Sequence, residues 1–276
     1  MMSRKQKIRL AVIAVFVCVL TASAVLLGKS LWEYYRADKA NRDLAAEVHA
    51  MAEDDVPTES EEGSGSGETD QPPKPTDFRY APVIEQNSDA VAWLTAEGIG
   101  VDLPVVYTPD DYDHYLRLGF DKKYAVSGTL FIGENCKPDE GNIIIYGHRM
   151  NNKTMFGALV EYESEEFARE YPILTYDLIH EDGSFERLYF EVFTAFYSQI
   201  APDSDTSAFR YYNYTDLSDI DVFHDYINKV FEHGLYDLGV RPEYGDRLLT
   251  LSTCSYHVKQ GRFVVVAREV KNPDLD

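Results

Sequence analysis

Residues 248–270, LLTLSTCSYHVKQGRFVVVAREV, hold two apolar, β-branched runs around the polar connection SYHVKQG. That pattern predicts a β-hairpin. In an antiparallel pair the last residue of one strand and the first of the next lie at the same end of the sheet, so Cys254 and Arg262 are expected to be neighbours. A nearby guanidinium favours a thiolate and can donate to an oxyanion. Read alone, Arg262 is equally a solvated charge capping an edge strand.

The same strand signature recurs through the chain. VAWLTA, VDLPVVY, GTLFI, NIIIYG, PILTYDLI, RLYFEVFTAFY, RLLTLSTCSY and RFVVVARE are short, rich in β-branched and aromatic residues, and separated by Gly, Pro, Asn and Asp clusters. Seven or eight such strands predict a mainly β domain, closed or nearly closed into a barrel. Two helical patterns interrupt them. TMFGALVEYESEEFAREY offers Ser164 as an N-cap before Glu165 and Glu166. SDIDVFHDYINKVFEHG places Val222, Phe223, Tyr226, Ile227, Val230 and Phe231 on one face and ends at Gly234, as expected of a helix laid against the barrel between the last two strand groups.

Upstream, Leu10 to Leu27 carries no charge, and its 18 residues at about 1.5 Å each nearly cross a hydrocarbon core of about 30 Å. Residues 10–28 are therefore expected to form a transmembrane anchor. Arg4, Lys5, Lys7 and Arg9 precede it and the first acid, Glu33, follows it. The positive-inside rule then makes residues 1–9 a cytoplasmic tail and leaves the remainder outside. Ala22-Ser23-Ala24 also suits cleavage of a signal peptide, although apolar residues continue past it. Residues 29–52 read as a polar helical stalk with a thin stripe of Leu44, Val48 and Met51. Residues 53–77 hold nine acids against Lys74 alone, with EEGSGSGE and QPPKP among them, and read as a disordered acidic linker. The globular domain is expected over residues 78–276.

A formal net charge of −21 argues against nucleic acid as a partner, because a polyanion would meet a repulsive field. Of three cysteines, Cys18 falls in the apolar segment, leaving Cys136 and Cys254 outside, where they either pair or leave Cys254 as a reactive thiol. A thiol nucleophile also needs a base. His148 follows NIIIYG, so a buried strand would deliver its imidazole at the strand end, although a lone loop histidine is often only a surface residue. His257, three residues after Cys254, would point to the other face of the strand. Metal-protease, Cys-x-x-Cys, phosphate-loop and Gly-x-Ser-x-Gly motifs are absent. Asp110, Asp111 and Asp113 could hold calcium but read better as solvated charge.

With His148, Cys254 and Arg262 in that order in a β-rich head, the sequence resembles the sortases, specifically class B. TLSTC, Thr250 to Cys254, matches the family's Thr-Leu-x-Thr-Cys signature, and YGHRMNNKTMFGALVEY is similar to the class B segment that starts at the catalytic histidine. The resemblance covers Ser88 to Val270. It implies a mainly β fold, an eight-stranded sortase barrel with peripheral helices, one of them between strands 6 and 7. It also implies cysteine transpeptidation at a Gram-positive cell surface without cofactor or metal. His148, Cys254 and Arg262 would be catalytic, with Ser252, Thr253 and Ser255 beside the substrate. The expected partners are surface proteins with an Asn-Pro-x-Thr-Asn-like or Ser/Asn-Pro-x-Thr-Gly-like sorting signal and an amine of peptidoglycan. A surface thiol hydrolase and a membrane-tethered binding module are the competing readings. Cys136 departs from the family pattern, and a bond from it to Cys254 would silence the enzyme.

Overall fold

The computed structural model describes residues 3–54, 78–202, 204–205, 208–255 and 258–273. The expected acidic linker therefore lies, from residue 55 on, outside the described residues, as does His257. Each strand-like segment becomes a strand: β1 (Ala90–Ala96), β2 (Val101–Val106), β3 (Leu130–Ile132), β4 (Asn142–Tyr146), β5 (Ile173–Ile179), β6 (Phe185–Gln199), β7 (Leu248–Ser255) and β8 (Gly261–Val270). They close into a barrel in the order β1-β2-β3-β4-β7-β8-β6-β5. Closure removes the exposed edges that a lone sheet would present. The pairs β2/β3 and β4/β7 are parallel and the rest antiparallel.

Strand alternation separates two faces of the wall. On β7 the Ser252 and Thr250 hydroxyls meet those of Tyr211 and Tyr226, in the layer covering the outside. The intervening Leu249, Leu251 and Thr253 therefore point inward. The interior is packed with aliphatic and aromatic side chains, among them Leu94, Val105, Ile143, Ile145, Phe263 and Val265.

Four helices surround the barrel: α1 (Arg4–Asp54), α2 (Ala81–Gln86), α3 (Glu165–Glu170) and α4 (Ile220–His233). The stretch from Thr154 to Tyr171 condenses into a 3-10 turn, Leu159–Glu163, followed by short α3. Ser164 separates the two, because its side chain caps the Phe167 N–H while its own backbone is extended. Between β6 and β7, α4 starts at the Asp219 cap, buries Phe223, Tyr226, Ile227 and Val230, and ends at Gly234.

Residues expected as anchor and stalk form one continuous helix, α1. Its apolar part is exposed, and it is long and apolar enough by length and composition to cross a membrane. The segment read as a stalk lies along the barrel instead of standing free. Leu44 and Val48 are buried in a second core with Val83, Trp93 and Val106. Arg36 donates to the Tyr124 carbonyl at 3.1 Å, and His49 Nε2 lies 2.7 Å from an Asp102 carboxylate oxygen. A stripe two residues wide suffices because polar contacts on either side hold the helix in place.

Candidate active site

Backbone register places the three candidate catalytic residues. Each β4 residue faces the β7 residue 106 positions later, from Asn142 with Leu248 to Tyr146 with Ser252. The ladder continues one step past β4, since the Gly147 N–H donates to the Ser252 carbonyl at 3.2 Å, as a parallel pairing of Gly147 with Thr253 requires. His148 is the next residue after this ladder ends. On the other side of β7, Cys254 pairs with Arg262. Cys254 and Arg262 therefore share one rung, and hence one face of the sheet, next to the end of the β4 ladder where His148 follows.

That face is the outer one, and all three residues line a single cleft of about 520 Å³. Its walls come from separate connections: Tyr112, Asp113 and Leu116 between β2 and β3, Gly133 to Cys136 after β3, and Tyr212, Asn213 and Thr215 before α4. Sequence reasoning did not find these wall residues, because their spacing along the chain carries no motif.

His148 Nε2 lies 2.8 Å from the Leu116 carbonyl oxygen. A carbonyl only accepts, so this nitrogen carries hydrogen and Nδ1 keeps the lone pair in the neutral ring. Burial pushes the His148 pKa below its ordinary value, with Arg117 adding to the effect and the Leu116 hydrogen bond opposing it. The ring is thus neutral at pH 7 and poised to accept a proton. Gly147 makes the close packing beneath the histidine possible, since a Cβ there would sit 2.5 Å from Leu130 Cδ2 and 2.7 Å from the Phe156 ring.

The residues flanking Cys254 are already hydrogen-bonded. Thr253 Oγ1 donates to the Gly147 carbonyl at 2.7 Å, tying the cysteine strand to the histidine strand. Ser252 Oγ and the Tyr211 hydroxyl are 2.7 Å apart, and Tyr211 is also hydrogen-bonded to Tyr146. Both Ser252 and Thr253 line the cleft, while Ser255 pairs with Gly261 at the hairpin end. Arg262 lies close enough to Tyr146 and Tyr211 to act on both phenols electrostatically. Its guanidinium donates to the Gly261 carbonyl at 3.1 Å, and among the described residues it has no carboxylate partner.

Cys136 and Cys254 are both free thiols. Cys136 also lines the cleft, but burial pushes its thiol up to about 11, so it stays protonated and unreactive at neutral pH. Of the other histidines, His114 Nδ1 is 3.0 Å from Asp111, which places that acid in a local pair. His233 packs beside Phe196 and Phe209.

Comparison with known proteins agrees with this fold. A family model described as "Sortase domain" matches residues 94–270. Sortase B of Listeria monocytogenes is 28% identical over 188 residues, covering 67% of this chain and 71% of its own. The Clostridium perfringens sortase B structure is 29% identical, with a TM-score of 0.59 over 69% of this chain and 98% of its own. The Bacillus anthracis sortase B fold superposes with a TM-score of 0.66 over 88% of this chain and all of that one, at 24% identity. A closed eight-stranded barrel, a cysteine and histidine brought into one cleft, and a family match over most of the head lead to one assignment: the chain belongs to the sortase family, as a class B cysteine transpeptidase.

Proposed function

We propose that Cys254 is the nucleophile, His148 the general acid and base, and Arg262 the oxyanion donor. The chain would act on a C-terminal sorting signal of the Asn-Pro-x-Thr-Asn or Ser/Asn-Pro-x-Thr-Gly type. Cys254 Sγ attacks the threonine carbonyl carbon and its proton passes to His148. The oxyanion takes hydrogen bonds from Arg262 and from the Ser255 backbone N–H. Collapse breaks the scissile C–N bond, and His148 returns the proton to the leaving amine. The threonine acyl group is left as a thioester on Cys254. An amine of peptidoglycan or its precursor then attacks the thioester, His148 removes the amine's proton, and the new amide leaves as the thiol is restored.

The single observation that carries this reading is the convergence of His148 and the paired Cys254 and Arg262 on one cleft. Residues 10–28 would anchor the enzyme, with residues 1–9 inside the cell and the catalytic domain outside. The uncharged run within α1 and the basic residues before it support that placement.

The test incubates the full chain in detergent with peptides of each motif, with and without an oligoglycine or diaminopimelate amine, and identifies the products by mass spectrometry. A ligated product together with a trapped acyl-enzyme at Cys254 is expected. Hydrolysis alone in the presence of every amine would support the hydrolase, and peptide binding without turnover, unchanged in Cys254→Ala, would support the binding module.

A further inference from the structure

The contacts of α1 with the barrel say how the catalytic head stands relative to the bilayer. The apolar run ends at Leu27, and the first contacts with the head follow closely: Tyr34, Asp38 and Asn41 line a small crevice with Ser127, Thr154 and Met155, and Arg36 bonds the Tyr124 carbonyl. Tyr34 lies seven positions past Leu27 on the helix, about 10 Å at 1.5 Å per residue. The helix is continuous through this stretch, so it leaves no free stalk.

The part of the head brought to this level has an unusual surface for so acidic a chain. RLGFDKKY, Arg117 to Tyr124, holds three cations and one acid, and its lysines form exposed ion pairs, Lys122 with Asp89 at 2.9 Å and Lys123 with Asp121 at 3.2 Å. Tyr124 is 54% exposed. On α1, one turn before the Arg36 contact, Trp32 is 63% and Tyr35 53% exposed, with ring centroids 6.2 Å apart. Aromatic rings with a polar edge, flanked by cations, are the side chains that favour the headgroup layer, and ion pairs this exposed are weak enough for the lysines to exchange carboxylates for anionic headgroups.

We propose that the head docks on an anionic phospholipid surface through Trp32, Tyr35, Lys122, Lys123 and Tyr124. This rests on the reading of residues 10–28 as an uncleaved anchor. Two loops at this edge also carry the cleft: the β2–β3 connection, whose Leu116 carbonyl holds His148, and the turn that follows His148 and includes Met155. The cleft therefore opens close to the membrane.

The test uses the full chain in phosphatidylglycerol–phosphatidylcholine vesicles containing lipids brominated at shallow or deep acyl positions. Only Trp32 and Trp93 occur naturally, and buried Trp93 serves as a constant background. In a Trp32→Phe background, single tryptophans are introduced by Phe16→Trp in the anchor, Tyr124→Trp at the docking edge, and Ala50→Trp on an exposed helix position 14 residues past Arg36, about 21 Å farther along. Expected is quenching of Phe16→Trp by deep bromines, quenching of Tyr124→Trp mainly by shallow ones, and no loss of Ala50→Trp emission. Quenching of Phe16→Trp without that of Tyr124→Trp would overturn the docking while leaving the anchor intact. No quenching of Phe16→Trp would overturn the anchor and this proposal with it. Equal quenching of Tyr124→Trp and Ala50→Trp would mean that the helix lies flat, and would also overturn the docking.

Discussion

Two arginines on neighbouring strands of the barrel have opposite surroundings. Arg187 on β6 holds Asp177 with two charge-assisted bonds of 2.7 and 2.6 Å, and the Tyr80 hydroxyl donates to the same carboxylate at 2.6 Å. Asp177 is almost fully buried, and the bond to it raises the Arg187 pKa. Arg262 on β8 borders an open cleft and, among the described residues, meets carbonyl and phenol groups without a carboxylate. A charge whose partner comes from its own fold stabilises that fold, while a charge facing a cavity without an anion is available to one that arrives with the substrate.

The comparison would break first at the nucleophile. Cys254→Ala and His148→Ala should each lower turnover by at least about 10⁴-fold with little change in thermal unfolding, because these groups act as one chemical unit. Residual activity near wild type in either variant would remove that residue from the mechanism.

The sharpest contrast comes from the arginines themselves. Arg262→Ala should lower kcat about 10²- to 10³-fold, the usual loss for an oxyanion donor, and leave the denaturant midpoint nearly unchanged. Arg187→Ala should do the reverse, destabilising the protein by about 3 kcal/mol because Asp177 is left as an unpaired buried charge, with activity per folded molecule retained. Identical patterns in the two variants would mean that their surroundings do not distinguish their roles. Tyr211→Phe is expected to have a smaller effect. Losing the hydroxyl that meets buried Ser252 should destabilise by about 1 kcal/mol and raise KM for peptide more than it lowers kcat.

The smallest expected effect is on pH dependence. Burial lowers the His148 pKa below the usual 6.5, so near and below that value the unfolded chain binds more protons than the native one. Stability contributed by His148 is therefore present above pH 6.5 and lost as pH falls through the depressed native value. Removing a nearby cation should weaken the depression, so Arg117→Gln should move the His148 NMR titration upward, and a downward movement would contradict the electrostatic assignment.

Most of the barrel was legible because each strand carries its own local evidence. VAWLTA or NIIIYG is short, β-branched and bounded by turn residues, and needs no distant contact to be recognised. Ser164 begins a helix through a side-chain cap on a backbone N–H three residues away. The cleft walls had no such signal. Leu116, Tyr112 and Tyr212 look like ordinary loop residues until the barrel closes, and the bond from His148 to Leu116 spans 32 positions of backbone with no side-chain signature at the acceptor. The stripe of Leu44 and Val48 was visible, but nothing along the chain named Val83 and Trp93 as its partners.

The amino-acid order alone determined the strands, the apolar helix, the acidic character of the chain, and three candidates for thiol chemistry, because propensity, hydropathy and charge are properties of short windows. Tertiary structure decided that His148 and Cys254, 106 positions apart, line the same cleft, that Arg262 lacks a carboxylate among the described residues where Arg187 has one, and that α1 lies against the barrel. Register and packing are set by which distant surfaces fit together, and that information appears only when the chain closes on itself.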